Sequence, residues 1–80
     1  MPFDPRMIEF PEWAARTAQL LAPYGFVSRT PSETDWQSFA RAAASVPAVA
    51  ATDPVRPAMY HDWRSWAFKF NESVALLGGA

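Results

Sequence analysis

The chain has no cysteine, three glycines, and only ten isoleucine, leucine and valine residues among 80. Without cysteine there is neither a disulfide scaffold nor a thiol nucleophile. Glycines at positions 25, 78 and 79 are too few and too scattered to build a loop that cradles phosphate. An excess of one charge is also missing. Seven basic and eight acidic residues are interspersed, for a net charge of −1, so no basic patch exists to draw a nucleic-acid backbone. No charge-free run approaches bilayer length. The stretch from Ala42 to Thr52 is far too short and is interrupted by Pro47. The first six residues show neither a charged n-region nor an apolar h-region, so no secretory signal is expected.

Catalytic groups are sparse as well. His61 is the only histidine. Its neighbour Asp62 would point about 100° away on a helix, and Arg64 and Ser65 occupy the i+3 and i+4 places where a second metal ligand would stand. No serine lies in a glycine-flanked nucleophile elbow. Asn71-Glu72-Ser73 matches a glycosylation sequon, which within a helix reads as incidental. No catalytic, cofactor-binding or metal-ligating residue is expected, and the chain reads as a non-enzyme.

What the chain does have is aromatic mass and alanine: six Phe, four Trp and two Tyr beside fifteen Ala. Aromatic side chains bury much area each and also dominate binding hot spots. The pattern predicts one small all-α domain with helices near 11–22, 31–45 and 59–77. An irregular N-terminal arm (1–10) and a long Pro/Ala-rich loop (46–58) complete it. Pro11 and Glu12 suit a first helical turn, and Pro23 and Gly25 stop that helix. Its apolar face is Trp13, Thr17, Leu20, Leu21 and Tyr24. Thr30-Pro31-Ser32-Glu33 reads as a capped helix start, and Val46-Pro47 as the matching stop. The face between them is Trp36, Phe39, Ala40 and Ala43. In the last helix Tyr60, Trp63, Ala67, Phe70, Val74 and Leu77 fall in one stripe at spacings of three and four, and Gly78 suits its C-cap. The 46–58 segment has three prolines and no aromatic, and could extend roughly 40 Å at about 3.1 Å per residue.

The helical segments share a six-residue pattern of acid, aromatic, two spacers, aromatic, alanine. It occurs from Glu9 to Ala14, from Asp35 to Ala40 and from Asp62 to Ala67, starting 26 and 27 residues apart. The acid favours the positive end of a helix dipole, and the two aromatics make one wide apolar patch with room beside the alanine. Three similar docking elements and a mere preference of early helix turns are both compatible with this pattern.

Trp66 and Phe68 lie off the main stripe, which makes the last helix apolar around more than half its circumference. The other helices supply few large aliphatics to cover it. The expectation is therefore a core shared with a partner protein, with Trp36, Phe39, Trp63, Trp66, Phe68 and Phe70 at the interface. The Pro-rich lead would let this helix dock away from the first two.

Residues 53–71 resemble a pattern in small structural proteins of tailed bacteriophages. A Pro-rich lead (Pro54, Pro57) precedes an aromatic (Tyr60), an acid (Asp62) and the frame Trp63-Arg64-Ser65-Trp66-Ala67 that opens a helix. The resemblance covers about a quarter of the chain and carries over no residue beyond Trp63, Trp66 and Ala67. It implies a non-catalytic virion subunit that holds larger capsid, neck or tail proteins together, with those proteins or further copies of itself as partners. Neither nucleic acid nor membrane is among them. The competing expectation is a free-standing three-helix adaptor or inhibitor of a host protein, in the cytoplasm. An amphipathic membrane-surface helix at 59–77 is disfavoured, because Asp62 and Glu72 share its polar face with Arg64 and Lys69.

Overall fold

The computed structural model describes residues 3–27 and 32–78, and the described residues are helical with no strand. Helix α1 spans Phe10–Leu21, α2 Trp36–Ala44, α3 Pro47–Ala50 and α4 Trp63–Gly78. Short 3-10 turns cover Ala22–Tyr24, Glu33–Asp35 and Pro57–Met59.

Each long helix starts at the same point of the repeat. The acid (Glu9, Asp35 or Asp62) stands just outside, and the first aromatic (Phe10, Trp36 or Trp63) is the first helical residue. The second aromatic then follows one turn-spacing later. At the last two starts the serine at the third helical position donates its hydroxyl to the acid. Ser38 reaches Asp35 at 2.8 Å and Ser65 reaches Asp62 at 2.9 Å. Asp62 also accepts the Ser65 backbone N–H at 3.1 Å, satisfying one of the donors that every helix start leaves open.

The six aromatic rings of the repeat meet one another. Trp13 lies 6.4 Å from Phe10, 6.1 Å from Phe39, 5.8 Å from Trp63 and 5.5 Å from Trp66, centroid to centroid. Phe10 approaches Trp63 at 5.2 Å and Phe39 at 5.9 Å, and Trp36 lies 5.8 Å from Trp66. Several of these pairs are edge-to-face, the arrangement that ring quadrupoles favour. Phe70 stacks on Trp66 at 4.7 Å and Phe26 adds an edge contact to Phe39 at 5.6 Å, extending the cluster at both ends. The three alanines that close the repeats, Ala14, Ala40 and Ala67, are fully buried, which lets the helices approach closely beside the rings.

This packing redraws parts of the expected outline. The predicted start of the second helix at 31 falls outside the described residues, and regular α-helix begins only at Trp36, after the turn at Glu33–Asp35. The last helix begins at Trp63 instead of 59. Tyr60 is extended (φ −123°, ψ 144°), and with Asp62 as its cap the helix starts four residues later than expected. The 46–58 segment is not an irregular loop throughout. Pro47 opens the short helix α3, whose Val49 is fully buried, and Thr52 donates its hydroxyl to the Val49 carbonyl at 2.6 Å. Asp53 then turns left-handed (φ 56°), a conformation Asp tolerates better than most residues, and Pro57 is buried in the following turn. With the segment folded in, α4 packs on α1 and α3 and its Trp66 meets Trp36 of α2, instead of docking away from the first two long helices. Gly25 takes the left-handed cap (φ 93°) expected where the first helical run ends.

The accessible surface of 5040 Å² is near the roughly 4,800 Å² that a folded monomer of this mass exposes. Trp13→Ala should therefore remove the hub of a core already closed within one chain. We expect a loss of about 3–5 kcal/mol in urea unfolding followed by far-UV circular dichroism, enough to leave the variant largely unfolded. A melting midpoint unchanged from the parent would show that the rings do not carry the fold.

Candidate functional site

The arm before α1 is tied down through backbone carbonyls. The Phe3 carbonyl accepts the Trp13 indole N–H at 3.1 Å and the Asn71 side-chain N–H at 2.7 Å, bridging α1 and α4. The Pro5 carbonyl accepts Arg64 Nε–H at 3.1 Å, and Pro5 itself is fully buried. The Arg16 guanidinium lies 4.6 Å from the centre of the Phe3 ring, a cation–π contact that helps hold the arm's first described residue. At the other end of α4, the Tyr24 hydroxyl donates to the Leu77 carbonyl at 3.4 Å.

Held this way, the arm carries Arg6 onto the outer face of α4. There Arg6, Tyr60, Arg64, Ser65, Phe68 and Lys69 line an open groove of about 390 Å³. On α4 the positions 64, 65, 68 and 69 share the side opposite the buried stripe, so one helix presents a packed face and a groove wall together. The Arg6 guanidinium sits 5.2 Å from the centre of the Phe68 ring, and that of Arg64 lies 4.8 Å from the centre of the Trp63 ring beneath it.

The arm also supplies carboxylates to these cations. Asp4 receives Arg6 Nε–H at 3.0 Å, Arg6 Nη2–H at 2.9 Å and the Arg6 backbone N–H at 2.9 Å. The Arg6 side chain, then its backbone N–H, holds the Asp4 carboxyl below its ordinary pKa, and the pairing raises that of Arg6. Glu9 meets Arg64 Nη2 at 3.4 Å, with the Glu9 side chain mostly in solvent. Lys69 forms no ion pair among the described residues.

Of the six expected interface residues, the structure encloses five within the chain itself. Trp36, Phe39, Trp63, Trp66 and Phe70 are all buried, the last two completely. The expectation that these rings are held out for a partner is corrected to that extent. They cover one another across three helix starts, so the shortage of aliphatics leaves no apolar face uncovered there. Phe68 alone keeps half its surface exposed, at 48%. Arg6, Tyr60, Arg64 and Lys69 were not among the expected interface residues: the sequence places Tyr60 on the apolar stripe of the last helix and Arg64 and Lys69 on its polar face. The 64/68 and 65/69 spacings on the polar side of α4 were available as a signal, whereas the arrival of Arg6 from the arm was not.

Smaller hollows lie elsewhere among the described residues. One, of about 300 Å³, is lined by Trp36 and Trp63 edges with Glu33, Thr34, His61 and Asp62; another, of about 350 Å³, lies between the Tyr24–Val27 turn and the start of α3. His61 is exposed, and no group of three His, Cys, Asp or Glu side chains among the described residues is placed to hold a metal ion. No described helix is long and apolar enough to cross a membrane. Comparison with protein-family profiles, with curated proteins and with solved structures gave no match.

The cap that starts the groove wall is sensitive to acid. The Ser65 backbone N–H, then its hydroxyl, holds the Asp62 carboxyl below its ordinary value of 3.8. Because the folded-state value is the lower one, the cap's contribution is present above about pH 4 and is lost as pH falls through the depressed value. Asp62→Ala should cost about 1 kcal/mol near pH 7. In paired urea titrations its deficit relative to the parent should shrink as pH falls below 3.8 and through the depressed value, where the parent's own carboxyl takes up its proton. A deficit that stays constant across this range would contradict the cap.

Proposed function

We propose that this chain is a self-folding, non-enzymatic helical binding module that docks onto a larger protein through the groove between its arm and α4. The observation that carries this reading is Phe68: a large aromatic half exposed on an otherwise polar helix face, set among Arg6, Arg64 and Lys69. An exposed aromatic edged by cationic and polar side chains is the usual composition of an interface anchor and its rim. Met7 and Met59, next in sequence to Arg6 and Tyr60, are also exposed, at 78% and 77%, and flexible methionine adapts to partner surfaces.

The setting of that docking is an assembly. The residues that resemble tailed-phage structural proteins, 53–71, include Tyr60, Arg64, Ser65, Phe68 and Lys69, five of the six that line the groove. The module is accordingly a minor virion subunit that joins larger capsid, neck or tail proteins. The free-standing adaptor or inhibitor of a single host protein is the second reading, and the closed aromatic core favours it over a subunit that folds only on its partner.

A double substitution, Phe68→Asp with Lys69→Glu, should leave the melting curve of the isolated chain nearly unchanged, because both side chains are exposed. In affinity purification from the native source, the parent should recover a partner in fixed stoichiometry and the double variant should not. Arg41→Glu, on the exposed side of α2, should recover it normally. Equal recovery by all three chains would contradict docking at this groove.

A further inference from the structure

We propose that the groove takes an acidic peptide segment of the partner, with an apolar or aromatic side chain against Phe68 and Tyr60 and carboxylates on Lys69, Arg6 and Arg64. This rests on the docking reading above and names its occupant. The groove brings three cations to two aromatic rings. Guanidinium forks match carboxylates in geometry, and both arginines already hold carboxylates. Asp4 sits on Arg6 at 2.9 Å, and Glu9 on Arg64 at a looser 3.4 Å. The arm thus fills, with its own acids, places that a partner's acids would share or take over. Glu9 is the exchangeable one, since its side chain is 78% exposed and its contact is long. Lys69 has no carboxylate of its own among the described residues and offers the third position outright.

The surroundings limit the length of such an occupant. Asp4, Glu9 and Asp62 are bonded to Arg6, Arg64 and Ser65 of the groove lining, Glu72 is exposed one turn beyond Lys69, and the chain as a whole carries −1. A continuous polyanion leaving the groove would meet like charge, whereas a short run of acids around one apolar anchor would not. The volume of about 390 Å³ lies at the small end of the roughly 300–1,000 Å³ range of formed ligand sites, in keeping with a few side chains.

The test is selection of a ribosome-displayed library of random short peptides on the full chain, followed by amide NMR titration with the enriched peptides. The expected sequences combine Asp or Glu with an adjacent Trp, Phe or Leu. They should shift the amides of Tyr60, Ser65, Phe68 and Lys69 and weaken on addition of salt. Lys69→Gln should reduce their affinity about tenfold, with thermal melting unchanged. Enrichment of neutral or basic sequences that shift the same amides would overturn the acidic occupant and leave the docking face standing. Inorganic phosphate that reproduces the shifts and competes fully would overturn the peptide in favour of a simple anion. Shifts confined to another face, or no enrichment at all, would overturn the inference, and partner recovery by the Phe68→Asp/Lys69→Glu chain then decides the docking reading separately.

Discussion

Trp13 stands where three helix starts meet, with the rings of Phe10, Phe39, Trp63 and Trp66 around it and its indole N–H on the Phe3 carbonyl. The rest of the fold depends on that junction. A chain with ten large aliphatics cannot fill a core in the usual way. Here the first turn of each long helix contributes two rings and an alanine, and each set covers the other two. The repeated hexapeptide is therefore a packing device. Its acid marks the helix start, its rings fill the shared core, and its alanine permits close approach.

The same junction orders the arm. Because Trp13 and Asn71 both donate to Phe3, and Arg64 to Pro5, residues 3–9 are pinned across α1 and α4 through main-chain acceptors. Arg6 reaches Phe68 only as a consequence. The core carries a cost in unpartnered polar atoms. The indole nitrogens of Trp63 and Trp66, the Thr17 hydroxyl and the Asn71 side-chain oxygen are buried with no hydrogen-bond partner among the described residues. Burying such groups costs about 1–3 kcal/mol each, so ring packing must offset it. The side-chain amide of Asn71 is oriented by the Phe3 carbonyl, which accepts only its nitrogen.

Much of this outline was legible in the residues. Trp36, Phe39, Ala40 and Ala43 form the buried face of α2 as their spacing predicts, and Trp13, Thr17 and Leu21 do so for α1, whereas Leu20 is only half-buried and Tyr24, past the end of the helix, is exposed. The buried side of α4 follows Trp63, Ala67, Phe70 and Val74, widened by Trp66 and Ser73 because α1 and α3 both pack on it. The order in 46–58 was not legible, since it comes from Val46, Val49 and Pro57 meeting the core, and local composition reads only as proline and alanine. Nor was the destination of the rings. Counting aliphatics suggested an uncovered surface, but rings on three separate helices can cover each other, and only tertiary placement reveals it. Of the groove, Phe68 could be named from sequence. Arg6 could not, because a backbone carbonyl that anchors an arm leaves no mark in residue identity.

An internally closed core and an exposed groove divide the aromatic residues by position: five of the expected six are buried in the core, and Phe68 is half exposed at the groove. The division holds only if the isolated chain closes its core alone. Native-state amide hydrogen exchange on the dilute chain tests this most directly, at Ala14, Ala40 and Ala67, one in each repeat. These three amides should exchange only through global unfolding, with one shared free energy that does not change with protein concentration. Rapid exchange at these positions, or protection that appears only as concentration rises, would mean that the rings are completed by another molecule.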